Sequence, residues 1–187
     1  MAGLQEFGLA AKLWKVDRSK FVIFAAAFAA EFFGLTEGVL VGAVLSFAAF
    51  TVSSSRQPRY FLGCLEGEEG FFALSQTPHA RPIRHTILYQ FNGAVFYANI
   101  DDFVKDIENA LRDDVRLVVV SGITDVDVTA AERILTLYRK LKKRGVDFYL
   151  AGYVTAVNEQ LIAFDAEELI REGAVKARFT EALAAGA

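Results

Sequence analysis

Leu117-Val118-Val119-Val120-Ser121-Gly122-Ile123-Thr124-Asp125-Val126-Asp127-Val128-Thr129 is the stretch that decides the fold class of this chain. Its first four residues form a continuous apolar run, as expected of a central strand covered on both faces. Ser121 to Val128 reads as a loop. Thr129 to Arg144 then reads as an amphipathic helix, with Ala130, Ile134, Leu137, Tyr138 and Leu141 inward. Lys140, Lys142, Lys143 and Arg144 occupy its last turn and Gly145 stops it. Strand, short loop and helix in this order make the repeating unit of an α/β sheet.

Working outward toward the carboxyl end, Phe148 to Ala151 reads as a further strand and Thr155 to Phe164 as a helix. Asp165 to Glu172 is a short helix, and Thr180 to Ala185 a final helical turn. Toward the amino end, Asp101 is expected to cap a helix in which Phe103, Ile107, Ala110 and Leu111 repeat at helical spacing and Arg112 closes the last turn. Before it, Thr86 to Phe91 reads as a strand. Asn92-Gly93 is the strongest short hairpin signal, with Ala94 to Tyr97 returning as its partner. Residues 85–187 therefore make one α/β domain, large enough for its own core. Residues 56–84 read as a linker punctuated by Gly63, Gly67, Gly70, Pro78 and Pro82, with a first strand at Phe71 to Leu74.

Upstream the chemistry changes. Phe21 to Val52 is nearly all apolar, and a single helix through it would be roughly 48 Å long against a hydrocarbon core of about 30 Å. Gly34-Leu35-Thr36-Glu37-Gly38 interrupts it, so residues 21–55 read as a membrane hairpin of two short helices with a break near 34–37. One long tilted helix is the competing reading. Lys12, Lys15, Arg18 and Lys20 precede the hairpin and Arg56 and Arg59 follow it, which places both ends on the cytoplasmic side. Gly34, Gly38, Gly42 and Ser46 recur every four residues, a stripe of small side chains suited to helix packing in a membrane. Glu31 either snorkels near the break or forms an ion pair. Residues 1–20 read as an amphipathic segment at the membrane surface around Trp14, or as the cytoplasmic end of an upstream helix.

Hydrophobic residues make up 53% of the chain and the formal net charge is −3, so nucleic acid is not an expected partner. The single cysteine, Cys64, excludes an internal disulfide. With His79 and His85 as the only histidines, no metal-ligand cluster forms at a recognised spacing, and no cofactor is expected. There is no Gly-x-Ser-x-Gly elbow, no Cys/His pair and no phosphate-binding glycine loop before a lysine. The chain is not expected to be an enzyme.

Several short motifs, in order, carry a resemblance. They are Leu13-Trp14-Lys15-Val16, Gly38-Val39-Leu40-Val41-Gly42 and Arg56-Gln57-Pro58-Arg59-Tyr60-Phe61-Leu62-Gly63, then Phe91-Asn92-Gly93-Ala94-Val95-Phe96-Tyr97-Ala98-Asn99 and Asp127-Val128-Thr129-Ala130-Ala131. Together they resemble the carboxy-terminal part of a sulfate permease (SulP) family anion transporter: its last membrane hairpin joined to a STAS domain. The resemblance implies a mixed β-sheet with helices mainly on one side. It implies secondary transport of an anion such as sulfate, bicarbonate or a dicarboxylate, at an inner (plasma) membrane with the STAS domain cytoplasmic. It further implies a homodimer, and a substrate site in upstream helices or a separate transport core.

In anti-sigma factor antagonists of the same fold, the matching D-x-S segment carries a phosphorylated serine, and Thr129 stands at that position, two residues after Asp127. Asp125, Asp127 and Thr129 are therefore a candidate regulatory loop with Thr129 the candidate phospho-acceptor. Thr129 with Glu132 equally fits a Thr-x-x-Glu capping box. The alternative function is a membrane-tethered signalling adaptor that binds a kinase or an acyl carrier protein through this loop.

Overall fold

The computed structural model describes residues 35–152 and 155–186. The first arm of the expected hairpin, the amphipathic segment, Glu31 and Gly34 lie outside them. The described chain falls into two units, one ending at Ser55 and one running from Arg56 onward.

The first unit contributes helix α1 (Leu35–Ser55). Leu35 to Gly38, read from the sequence as part of a break, are helical. Val39, Leu40, Val41, Val44, Phe47, Phe50 and Val52 are all exposed, so apolar side chains surround the helix rather than forming one stripe. Such a helix has no preferred buried face of its own. Among the described residues no helix is long and apolar enough to cross a membrane.

The second unit is built on a six-stranded sheet. Its elements in chain order are β1 (Arg59–Gly63), β2 (Phe72–Ala73), β3 (Thr86–Val95), α2 (Ile100–Ala110), β4 (Leu117–Val126), α3 (Val128–Lys143), β5 (Asp147–Ala151), α4 (Thr155–Ala163), α5 (Glu168–Arg171), β6 (Val175–Lys176) and α6 (Phe179–Ala185). The sheet order is β2-β1-β3-β4-β5-β6. β3, β4, β5 and β6 run parallel, while β1 is antiparallel to both β2 and β3. The apolar run Val118, Val119 and Val120 is fully buried at the centre, with neighbours on both edges and both faces.

One face is covered by α2, α3 and α4. Phe103 and Ile107 from α2, Ala130, Ile134 and Leu141 from α3, and Leu161 from α4 meet Tyr89, Phe91, Val118, Val120 and Phe148 in one continuous core. The opposite face carries a smaller cluster, in which Ala182 of α6 packs with Leu62, Leu88, Leu117 and Val119. Helices therefore lie mainly on one side, as the resemblance implied.

Three local readings are corrected. Asn92-Gly93 does not turn: β3 runs straight through it, and the irregularity is absorbed as register shifts against β4 on either side of Gly93. The reason is burial on both flanks, since Phe91 and Val95 are each 0% exposed and a two-residue turn would pull one of them out of the core. Ser121 to Val126 is not a loop but the second half of β4, pairing Ile123, Asp125 and Val126 with the bulged end of β3. Lastly, residues 56–84 hold two strands rather than one. β1 pairs Arg59 to Leu62 with Phe91 to Leu88, and β2 is confined to Phe72–Ala73.

Candidate functional site

The carboxyl ends of β3 and β4 lie side by side, and in open α/β sheets this is where partners and ligands bind. Here the geometry is organised by Asp127. Its Oδ1 accepts the Ala130 N–H at 2.8 Å and its Oδ2 accepts the Tyr97 N–H at 2.9 Å. One oxygen caps α3 and the other holds the loop that leaves β3. Asp127 N–H donates to the Val95 carbonyl at 3.2 Å, completing the join.

The cap is therefore Asp127, not Thr129 as the Thr-x-x-Glu reading expected. Both residues satisfy the sequence rule for a cap, and the Tyr97 N–H, thirty residues away in the chain, selects the aspartate. Thr129 sits in the first turn of α3 with its side chain exposed. Asp125 is also exposed, whereas Asp127 is half-buried and engaged. The three residues thus share one strand-to-helix junction but differ in accessibility. Tyr97 and Val128 are exposed beside them, at 57% and 58%.

Asn99 escaped sequence reading. It is 1% exposed, its Oδ1 accepts the Phe96 N–H at 2.9 Å, and its Nδ2 donates to the Ala94 carbonyl at 3.0 Å. It precedes α2, which starts at Ile100 and not after Asp101, and its side chain closes the loop behind it instead of capping the helix ahead. An asparagine before a helix signals a cap from sequence, so nothing local could reveal this use. α2 also ends at Ala110, short of Arg112.

Charge decorates the outer helices in pairs. Asp101 of α2 meets Arg133 of α3 at 2.7 Å, and Glu108 meets Lys140 at 2.6 Å. Arg59, the first residue of β1, reaches Asp102 and Asp106, each at 3.4 Å, and Asp106 accepts the Tyr89 hydroxyl at 2.8 Å. Burial, and then the Asp106 carboxylate, push the Tyr89 hydroxyl far above its ordinary pKa. Burial does the same at Tyr138, reinforced by its bond to Glu172. Glu172 is held below the usual carboxylate range by Lys142 and then Tyr138, and Glu168 by Arg139.

Among the described residues no group of three or more histidine, cysteine or acidic side chains could hold a metal ion. Cys64 is free and exposed, and His85 Nδ1 lies 2.8 Å from the Asp114 carbonyl. Gly34 lies outside the described residues. Gly42, within the expected packing stripe, has open space where a Cβ would stand.

A six-stranded mixed sheet with helices mainly on one face defines a small α/β domain. The model of the STAS domain family matches residues 77–182, and the chain belongs to that family. Its resemblance is to the carboxy-terminal STAS region of sulfate-permease transporters. High affinity sulfate transporter 2 of Stylosanthes hamata is 29% identical over 186 residues, covering 92% of this chain and 28% of the relative. Probable sulfate transporter 4.2 of Arabidopsis thaliana is 26% identical over 168 residues, covering 81% and 25%. The chain thus spans about a quarter of the length of these curated relatives.

Among solved structures, murine Solute Carrier 26 family member A9, an anion transporter in the inward-facing state, matches the fold with a TM-score of 0.81 at 16% identity, over 94% of this chain and 30% of that one. A sulfate transporter family protein from Wolinella succinogenes matches with a TM-score of 0.50 at 21% identity, over 61% of this chain and 92% of that one.

Proposed function

We propose that this chain is the carboxy-terminal portion of a SulP-type secondary anion transporter, carrying the last membrane hairpin and a cytoplasmic STAS domain that serves regulation, assembly or partner binding. The observation that carries the reading is the alignment of 92% of the chain with 28% of a sulfate transporter. An apolar helix joined within four residues to the first strand of the sheet suits a domain tied closely to a membrane. The anion is sulfate, bicarbonate or a dicarboxylate, bound in upstream helices or a separate transport core, and the assembly is a homodimer at the plasma (inner) membrane. The test is to read the genomic frame upstream of residue 1 and express the whole frame in proteoliposomes. Further apolar spans and anion uptake are expected; an isolated short gene without uptake refutes the proposal.

The second reading is a membrane-tethered adaptor that docks a kinase or an acyl carrier protein at the β4–α3 junction. It is favoured by the exposure of Thr129, Tyr97 and Val128 together. Incubation with lysate and ATP, followed by mass spectrometry of the peptide spanning Thr129, tests it: a phosphopeptide supports it, and its absence leaves Thr129 as an ordinary first-turn residue.

A further inference from the structure

β1 and β3 part company at a fork. They are paired as far as Leu62 and Leu88; beyond that β1 keeps only its pairing with β2 on the other edge, Gly63 opposite Phe72, and Cys64 bridges to Arg81. The divergence is built in: a Cβ on Gly63 would stand 2.3 Å from the Arg81 carbonyl, so only glycine lets the two backbones approach. Below the fork β3 continues as Thr86 and Ile87 without β1 beside it, and a cleft of about 310 Å³ opens between the strands, the loop leading to β3, and the end of α2.

Phe61, Leu62, Leu74, Pro82, Ile87 and Leu88 give this cleft its apolar lining. Its polar rim comes from the end of α2, where Asn109 and Arg112 line the opening. Neither side chain has a hydrogen-bond or ion-pair partner among the described residues. Arg112, exposed at the rim, is the one charged side chain among the described residues lining the cleft, so no carboxylate of the lining neutralises it. Another cavity among the described residues, of about 400 Å³ beside Tyr138 and Phe148, differs in kind: its one cation, Lys142, is already paired with Glu172, and Asp147 adds a further negative charge.

We propose that the fork cleft is a binding site for a small free monocarboxylate with an apolar body. An apolar slot of this size with one or two convergent polar groups is the usual form of a small-molecule site. The guanidinium offers two parallel donors matched to a carboxylate, and the Asn109 amide offers another. An uncharged apolar molecule would leave the arginine unused, and a dicarboxylate would have to bury its second charge against Leu62 and Leu88. The site lies at the opposite end of the parallel strands from Asp127 and is independent of the transport reading.

The test uses the full chain in detergent micelles with 4-fluorobenzoate as probe, followed by ¹⁹F NMR line broadening against empty micelles. Saturable binding is expected, weakened about tenfold or more by Arg112→Gln and unaffected by Lys105→Gln, which removes a charge from the same helix outside the cleft. The neutral 4-fluorobenzyl alcohol is expected to bind at least tenfold more weakly than the acid. Absence of saturable binding overturns the proposal. Equal binding of acid and alcohol also overturns it, and this comparison on the unmodified chain does not depend on the variant's folding.

Discussion

The carboxylate of Asp127 bonds the backbone N–H of Tyr97 at 2.9 Å, joining the ends of two parallel strands through one side chain that also caps the following helix. Removing it costs two hydrogen bonds at once. Asp127→Ala is expected to destabilise the domain by about 1–3 kcal/mol, the sum of a lost cap and an unsatisfied loop N–H. Thr129→Ala should stay within about 0.5 kcal/mol. Urea unfolding of residues 56–187 measures both, and a larger loss at Thr129 would return the cap to that residue.

That fragment is itself a prediction. Residues 56–187 contain every strand of the sheet and are expected to unfold in a single cooperative transition. A fragment beginning at residue 85 lacks β1, which exposes the edge of β3 and removes the ring of Phe61 from Tyr89, 5.1 Å away. It should be insoluble or aggregate at micromolar concentration, which size-exclusion chromatography would show.

Gly122 holds φ at +80°, and a Cβ there would stand 2.6 Å from the backbone carbonyl oxygen of Phe91. Backbone cannot rotate aside as a side chain can. Gly122→Ala should therefore cost about 2 kcal/mol or more, through the positive φ and the forced shift together. Gly145→Ala, at a similar φ of +69° but with open space around it, should cost only about 1 kcal/mol. Similar losses at both sites would mean that the contact with Phe91 is unimportant.

Tyr89 and Tyr138 predict the response to alkali. Both hydroxyls have folded-state pKa values raised above the ordinary 10.0, so the folded state keeps protons that the unfolded chain releases. Their contribution is fully present below pH 10 and is lost as pH rises above it toward their raised folded-state values. Tyr89→Phe should flatten this slope, and phenolate absorbance should appear in two stages, the second coinciding with unfolding. At the acid end the sign reverses. Glu168 and Glu172 are depressed below 4.5, so what they contribute is present above that pH and lost as pH falls below it.

The acid-end and alkali-end groups were invisible in the sequence for a common reason. Tyr138 meets Glu172 across 34 positions and Tyr89 meets Asp106 across 17, and no periodicity relates such pairs. Where a signal was local, it was legible. Val118 to Val120 is a central strand because three adjacent apolar β-branched residues suit burial on both faces, and α3 follows the spacing of Ala130, Ile134, Leu137 and Leu141.

The sequence by itself determined the helix–strand–helix–strand–helix alternation from α2 to α4, the central strand, the inward faces of α2 and α3, and the apolar character of α1. Each follows from side chains a few residues apart along one element, whose hydrophobicity decides which face leaves water. Only the tertiary structure decided that Asn92-Gly93 continues a strand, that Arg59 to Gly63 joins the sheet, and that Asp127 rather than Thr129 caps α3. Those outcomes turn on the burial of Phe91 and Val95, on strand pairing across some thirty residues, and on one distant Tyr97 N–H. Local propensity left two answers open in each case, and the free energy of contacts between distant segments selected one.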